Sequence, residues 1–157
     1  MEERNDIFDK IMMLPGLRIL NPFYKKNKEV LLYLFFGGLT FLVSVISYAY
    51  FNVTLGINEL VANIISWVLA VAFAFFTNRI WVFQAPTKTV SQFLMQLIRF
   101  FMGRVATLVV EEVILLVFIT ILGFNSMVVK VIAQVIVIVL NYVISKLVVF
   151  RKKNDQI

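Results

Sequence analysis

Four charged residues lie inside long apolar stretches of this sequence, where a charge is costly unless it has a partner or a function. Arg104, Glu111 and Glu112 lie on one predicted helix, and Lys130 lies early on the next. Arg104 and Glu111 are seven residues apart, so they share one helix face about two turns apart. That separation is too long for a tight ion pair. We therefore expect Lys130 to partner one of the glutamates, which leaves Arg104 for an anion.

Each predicted helix also carries a stripe of small or neutral polar residues along one face. The amides on these stripes include Asn63, Gln134 and Asn141. Lipid cannot satisfy such groups, so the stripes are expected to face one another inside a helical bundle. The four charges would line this polar interior and mark a pathway or a binding site. The alternative is a purely structural ion pair between the third and fourth helices.

Basic residues near the helix ends offer a second kind of chemistry. Asn78, Arg79 and Trp81 lie in the stretch that ends the second helix, and an arginine, an amide and an aromatic ring can together hold a phosphate and a sugar. Arg99, early in the third helix, is a further candidate for a phosphate. Lys146 has the corresponding position at the end of the fourth helix, where snorkelling is sufficient to explain it.

Several classes of site are disfavoured by residue types alone. The sequence has no cysteine and no histidine, which argues against zinc, haem and Cys–His catalytic sites. Glu111 and Glu112 are adjacent, unlike the facing carboxylates of a glycosidase. The sequence therefore predicts a protein that is not an enzyme, with no catalytic residues and no metal or cofactor site.

Composition indicates a membrane protein. The 157 residues are 61% hydrophobic and 15% charged, against about a quarter charged in soluble domains. Apolar surface on this scale cannot be hidden in one small soluble domain. The net charge of +6 fits the positive-inside rule and attraction to anionic lipids. A basic soluble face is not visible, so no nucleic-acid partner is expected.

The pattern predicts an all-α membrane protein with four transmembrane helices. Their approximate ranges are 30–52, 60–77, 93–121 and 127–147, long enough for the roughly twenty apolar residues that span a bilayer. The chain divides into an N-terminal interfacial segment (1–28), a four-helix domain (29–151) and a basic tail (152–157). The first segment is predicted to form either a short amphipathic helix on the cytoplasmic interface or a frayed chain end.

The four helices form two tandem two-helix repeats in the sequence. Residues 78–83 and 145–150 share the order small polar residue, cation, aliphatic, bulky residue, valine, phenylalanine. Lysine and arginine are concentrated in the N-terminal segment, the middle loop and the tail, whereas the first and third connections have none. Both termini are therefore predicted to be cytoplasmic. The repeats would then be related by an axis along the membrane normal.

The sequence resembles the GtrA-like family of small four-helix membrane proteins over roughly residues 30–151. The motifs that carry the resemblance are Phe36-Gly37, Ala62-Asn63, residues 78–83, Arg99-Phe100-Phe101, Asn141-Tyr142, Lys146 and Phe150. Two positions depart from the expected pattern. Ala74 stands where the family has an amide, although the second half keeps Asn141, and Lys130 stands where the first repeat has Asn63. The site is therefore expected to be asymmetric and to depend on the second repeat.

The resemblance implies flipping of a polyprenyl-phosphate-linked sugar across the cytoplasmic membrane, for cell-surface polysaccharide or teichoic-acid glycosylation. The phosphate would engage Arg79, Arg99 or Arg104. Sugar hydroxyls would meet amides and carboxylates, namely Asn63, Asn78, Gln134, Asn141, Glu111 and Glu112. The implied partners are membrane lipids and polyprenyl-phosphate glycosyltransferases. A homo-oligomer is also expected, because four short helices leave little room to enclose a sugar.

Two other functions stay open at this stage. In a small proton-coupled multidrug-type antiporter, Glu111 would bind a proton or a cation, and activity would depend on a proton gradient. In a non-transporting partner that anchors a glycosyltransferase, removal of charges inside the bundle would leave function intact.

Overall fold

The computed structural model describes residues 6–151, and all regular structure in that range is helical. The helices are α1 (Ile7–Met12), α2 (Asn21–Ala49), α3 (Glu59–Thr77), α4 (Val90–Leu115) and α5 (Ser126–Ile144). Each long helix continues into a π-helical segment, at Tyr50–Thr54, Asn78–Val82, Leu116–Ile121 and Ser145–Val149. The all-α prediction is confirmed for this range, and the tail 152–157 lies outside the described residues.

Three of the continuous helices are long and apolar enough to cross a membrane. They cover Arg18–Thr54, Glu59–Val82 and Ser126–Val149. The helix formed by α4 and its π-helical end is comparable in length but carries the four charges at positions 99, 104, 111 and 112. Its partners in the fold therefore decide how those charges are tolerated.

The first long helix starts at Asn21, nine residues before its predicted start. Pro22 lies in its first turn, where a missing backbone N–H costs nothing. At Asn27 the backbone leaves the helical region (φ −117°, ψ 16°), and the side-chain amide donates to the carbonyl of Phe23 at 3.1 Å. The predicted boundary after residue 28 thus follows a bend in one helix, and the division itself stays a prediction.

The predicted N-terminal helix is present as α1, and it packs on α2. Asp6 caps its first turn, and the ring of Phe8 meets those of Phe35 and Phe36 edge to face at 6.0 and 5.6 Å. Lys28 of α2 pairs with Asp6 at 2.9 Å and with the buried Asp9 at 2.6 Å. Apolar and ionic contacts together hold α1 against α2.

The two stretches that repeat in the sequence adopt the same backbone. The N–H of Phe83 donates to the carbonyl of Asn78, and that of Phe150 to the carbonyl of Ser145, both at 2.8 Å and five residues back. The rings of Phe83 and Phe150 then stack at 5.2 Å with 17° between their planes. The two stretches therefore meet in the core.

The helices pair as two antiparallel hairpins. α2 packs chiefly on α3 and α4 chiefly on α5, whereas α3 and α4 touch less. The hairpins join through one apolar cluster: Leu32, Tyr33, Phe36, Ala74, Phe75, Val82, Phe83, Ala85, Phe100, Val149 and Phe150. Gly103 allows close approach within the second hairpin, because a Cβ there would lie 2.9 Å from Cγ2 of Ile144.

We predict that Gly103→Ala lowers the free energy of unfolding in detergent by about 1–3 kcal/mol, the usual cost of overpacking. The added methyl group would press on Ile144, whose branched side chain is fixed close to its backbone. Gly37→Ala is the matched control, because a Cβ at Gly37 meets nothing within 4 Å. Equal effects of the two substitutions would contradict the packing assigned to Gly103.

A second prediction concerns the pH dependence of α1 docking. Burial alone would raise the pKa of Asp9, but Lys28 and the N–H of Asp6 outweigh it, so this pKa lies below its ordinary value of 3.8. The resulting stabilisation is present above pH 3.8 and is lost as pH falls through the lowered pKa. We expect α1 to separate from α2 in that acidic range.

Spin labels at Lys10→Cys and Leu34→Cys can measure this separation, since the chain has no native cysteine. Their distance distribution should be narrow at neutral pH and broaden below about pH 3.8. Asp9→Asn should broaden it already at neutral pH. A narrow distribution at every pH in both proteins would show that the Phe8 contacts alone hold α1.

Candidate functional site

Glu111 is the centre of a charged cluster between α4 and α5. Its Oε1 accepts hydrogen bonds from Nζ of Lys130 and from Nε2 of Gln134, both at 2.6 Å. Glu111 is buried, whereas the Lys130 side chain is half exposed. The expectation that Lys130 partners one of the glutamates is confirmed for Glu111. The carboxylate is therefore compensated within the hairpin.

A second contact lies one turn along α4 from Glu111. The hydroxyl of Thr107 donates to Oδ1 of Asn141 at 3.0 Å, and both residues are buried. The same hydroxyl lies 3.0 Å from the carbonyl of Arg104. The retained amide Asn141 thus faces α4, on the same side as the Glu111 cluster.

Arg104 follows at the next turn and meets aromatic residues instead of acids. Its guanidinium lies 5.0 Å from the ring centre of Phe100 and beside the hydroxyl of Tyr33 on α2. Within residues 6–151, no carboxylate lies at ion-pair distance from it. Its positive charge is consequently held by one aromatic ring and a hydroxyl, a setting in which an added anion would be attracted.

The polar contacts continue from Tyr33 to Tyr142 near the end of α5, and from there to Glu29 near the start of α2. The ring of Tyr33 meets that of Tyr142 edge to face at 5.3 Å. The Tyr142 hydroxyl donates to Glu29 at 2.5 Å, and Glu29 pairs with Lys146 at 2.8 Å. We call this series the polar track: Glu29, Lys146, Tyr142, Tyr33, Arg104, Thr107, Asn141, Glu111, Gln134 and Lys130.

Arg79 lies outside the polar track, although it ends α3 as Lys146 ends α5. Its guanidinium donates to Gln96 at 3.2 Å and Thr87 at 2.8 Å, and it lies 5.1 Å from the ring centre of Phe93. Trp81 instead stacks on Phe36 at 5.3 Å. The phosphate-and-sugar group predicted from Arg79 and Trp81 is therefore not assembled in this arrangement.

Four of the ten predicted binding residues remain apart from the track in other ways. Asn78 is buried and donates to the carbonyl of Ala74 at 2.7 Å. Asn63, Arg99 and Glu112 are exposed and make no side-chain hydrogen bond or ion pair with the rest of residues 6–151. The polar stripes thus do not all converge, because one-residue offsets such as that between Glu111 and Glu112 place neighbours on different faces. Whether any of the ten binds substrate stays a prediction.

Two contacts relate the sequence repeats to each other. Lys146 pairs with Glu29, and Arg79 bonds Gln96, so the cation that ends each hairpin reaches the first long helix of the other. Gln96 lies 67 residues after Glu29, as Lys146 lies 67 residues after Arg79. The same contact is therefore made twice, once with a carboxylate and once with an amide.

Sequence reasoning missed Tyr33, Tyr142 and Glu29 as members of the track. A signal for Glu29 was available, because it is the last charge before an uncharged stretch and shares its repeat position with Gln96. The tyrosines had no comparable signal among so many aromatic residues. Among residues 6–151, no group of acidic side chains converges in a way that could hold a metal ion.

Comparison with known proteins adds an independent line of evidence. Residues 32–150 match the family described as GtrA/DPMS, transmembrane domain. The chain is 34% identical over 134 residues to the cell wall teichoic acid glycosylation protein GtcA of Listeria innocua, covering 85% of this chain and 92% of that protein. It is 35% identical over 126 residues to GtcA of Listeria monocytogenes, covering 80% and 87%.

A further relative is the membrane protein YwcD of Bacillus subtilis, 28% identical over 125 residues and covering 80% of this chain and 98% of YwcD. All three relatives are therefore matched over most of their length. With the apolar helices of the structure, these matches identify a multi-pass protein of the cytoplasmic membrane. The chain belongs to the GtrA/DPMS transmembrane-domain family.

Proposed function

We propose that this protein flips a polyprenyl-phosphate-linked sugar across the cytoplasmic membrane, for glycosylation of a cell-surface polymer. The names of the Listeria relatives support the glycosylation role. The polar track is the observation that carries the transport step. It gives a lipid headgroup hydrogen-bonding partners along the length of an otherwise apolar hairpin.

The exposure of the track fits a substrate with a long apolar tail. Gln134 and Lys130 lie on the exposed surface of α5, whereas Glu111 and Asn141 are buried behind them. A headgroup could move along this face while its prenyl tail stays in lipid. Burial of polar groups away from water is costly, and the track would lower that cost at each step.

Arg104 is the best candidate for the phosphate within the bilayer. Its guanidinium lies against the ring of Phe100 and beside the hydroxyl of Tyr33, with no carboxylate partner among residues 6–151. Lys130 and Lys146, in contrast, have Glu111 and Glu29 as partners. Binding a phosphate would supply the charge partner that Arg104 lacks within residues 6–151.

The proposal includes four membrane spans with both termini in the cytoplasm. α4 would be the remaining span, its charges satisfied by α5 and by substrate. The matching contacts of Lys146 with Glu29 and of Arg79 with Gln96 support two repeats that enter the membrane from the same side. We also propose a homo-oligomer, because Asn63 and Glu112 are exposed at positions where lipid would otherwise face them.

The rival functions differ in their demands on Glu111. Its bonds to Lys130 and Gln134 leave little freedom to exchange a proton or a cation, which disfavours the antiporter. The same bonds suit a structural role, so a non-transporting partner of a glycosyltransferase is the alternative that the flipping experiment must exclude. No catalytic step is assigned to any residue.

We predict that Arg104→Ala or Glu111→Gln abolishes transfer of a fluorescent polyprenyl-phosphate-sugar between the leaflets of vesicles containing the purified protein. Either substitution removes a charged side chain from the polar track. An unpaired charge in a membrane costs a few kcal/mol, so the headgroup would lose a stabilising partner of about that size. Arg18→Ala and Glu59→Gln are matched controls, since both residues are exposed and lie outside the track. They should retain transfer.

Monodisperse gel-filtration profiles and unchanged melting temperatures are required of every variant. The structural alternative predicts that Glu111→Gln combined with Lys130→Gln restores activity, because neither charge is then left without its partner. Wild-type transfer by well-folded Arg104→Ala would remove this arginine from the site.

Topology can be tested separately from transport. Tags at residue 1 and residue 157 should resist impermeant reagents in intact cells and react after the membrane is opened. The reason is the concentration of lysine and arginine in the terminal segments and the middle loop. Labelling of either tag from outside would overturn this part of the proposal.

A further inference from the structure

A cleft of about 610 Å³ lies at the Glu29 end of the polar track, outside the ten residues predicted from the sequence. It opens between the first turns of α2, the end of α3 and the end of α5. The side chains that matter for its chemistry are Lys25, Lys26, Lys28, Trp81, Tyr142 and Lys146.

The lining of the cleft is biased toward positive charge. Four lysines stand against two carboxylates, Asp9 and Glu29, among the described lining residues. Lys28 is paired with Asp9 at 2.6 Å and with Asp6, outside the lining, at 2.9 Å, and Lys146 is paired with Glu29 at 2.8 Å. Lys26, an exposed lysine, adds a further ammonium group at the same opening. The complementary ligand is therefore an anion.

Aromatic and amide groups accompany the cations. Trp81 is supported by stacking on Phe36 and also lines the cleft, as does Tyr142. Asn27 and Gln84 add amide groups to the lining, next to the apolar Val30 and Val82. A rigid aromatic body next to a few polar groups is suited to a ligand that is partly apolar and partly hydroxylated. A sugar carried on a phosphate has both properties.

We propose that this cleft is a loading site, which binds the phosphate–sugar headgroup before it enters the polar track. Lys26 and Lys146 take the phosphate, and Trp81 with the amides takes the sugar. The identity of the ligand rests on the proposed function, whereas the anion-binding chemistry rests on the cleft alone. Tyr142 belongs to both the cleft and the track, so a headgroup bound here is already beside the next polar groups.

Glu29 is the group that the phosphate must displace from Lys146. Their side chains are 36% and 47% exposed, and exposed ion pairs are weak enough to exchange partners. The other repeat shows that the contact survives without the acid, because Arg79 bonds Gln96 at the corresponding position. Glu29 thus acts as a competitor for the incoming anion and is not needed to hold the helices together.

This assignment makes two substitutions in one ion pair act in opposite directions. Removal of the competing charge by Glu29→Gln should tighten binding, and Lys146→Gln should weaken it. Each substitution is expected to change the dissociation constant about three- to tenfold, as for one charge acting over a few ångströms at a partly exposed site. A purely structural ion pair predicts the same direction for both, because each removes the same bond.

Trp81 can report the binding directly. The chain has two tryptophans, so a Trp67→Phe background leaves Trp81 as the only one. The full chain in neutral-lipid nanodiscs is titrated with a ten-carbon prenyl phosphoglucose, and a saturable change in fluorescence is expected. Lys26→Gln, at an exposed lysine of the cleft, should also weaken binding. Lys10→Gln, at an exposed lysine outside it, should not.

Three comparison ligands separate the possible sources of the anion. Ten-carbon prenyl phosphate should bind more weakly than the phosphoglucose, and glucose alone should not bind. Nanodiscs containing phosphatidylglycerol should compete only partly. Equal binding of prenyl phosphate and phosphoglucose, or complete occlusion by phosphatidylglycerol, would identify an ordinary anionic-lipid site and overturn the proposal.

The binding titration and the flipping experiment test separate claims, so either claim can be refuted while the other stands. Opposite effects of Glu29→Gln and Lys146→Gln on binding, with no transfer by the wild-type protein, would leave the cleft assigned and refute flipping. Unchanged binding in both variants, with normal wild-type transfer, would refute the loading site and leave flipping intact. Parallel weakening in both variants would also refute the loading site, in favour of a structural ion pair.

Discussion

A carboxylate in the middle of an apolar helix has to find a cation, and this requirement organises the second hairpin. Glu111 is buried on α4, and Lys130 and Gln134 of α5 supply its partners. The register set by that contact brings Asn141 opposite Thr107. It also leaves Arg104 one turn further on, facing α2 rather than α5.

The first hairpin solves the same packing problem with few polar contacts. Ser66, Ala70 and Ala74 are buried along α3, where small residues let helices approach closely. Polar chemistry is thus concentrated in the second repeat, as the departures at Ala74 and Lys130 indicate in the sequence. The second hairpin supplies eight of the ten members of the polar track, and Glu29 and Tyr33 of α2 supply the other two.

Sequence patterns predicted what depends on periodicity and on charge cost. The long helices, the partnership of Lys130 with a glutamate and the separation of Arg104 from Glu111 all follow from spacing and the price of charge in lipid. The predicted convergence of all polar stripes is not seen among the described residues, because packing sets the rotation of each helix about its axis. Glu112 faces outward while Glu111 is buried, and no composition rule distinguishes them. The aromatic contact between Tyr33 and Tyr142 likewise depends on helix packing and could not be predicted from the sequence.

The repeats also explain why a weak ion pair sits at the mouth of the track. A cation ends each hairpin, and each reaches the other hairpin at the same position. Gln96 accepts the hydrogen bond from Arg79 at the corresponding position, so packing of the two hairpins does not require an acid there. The presence of a carboxylate at Glu29 therefore needs a different explanation. In the proposed loading site, this placement would keep Lys146 compensated between substrates and leave both side chains accessible to a stronger anion. A structural contact shared by the two repeats would thereby become, in one of them, a point at which phosphate can be recognised.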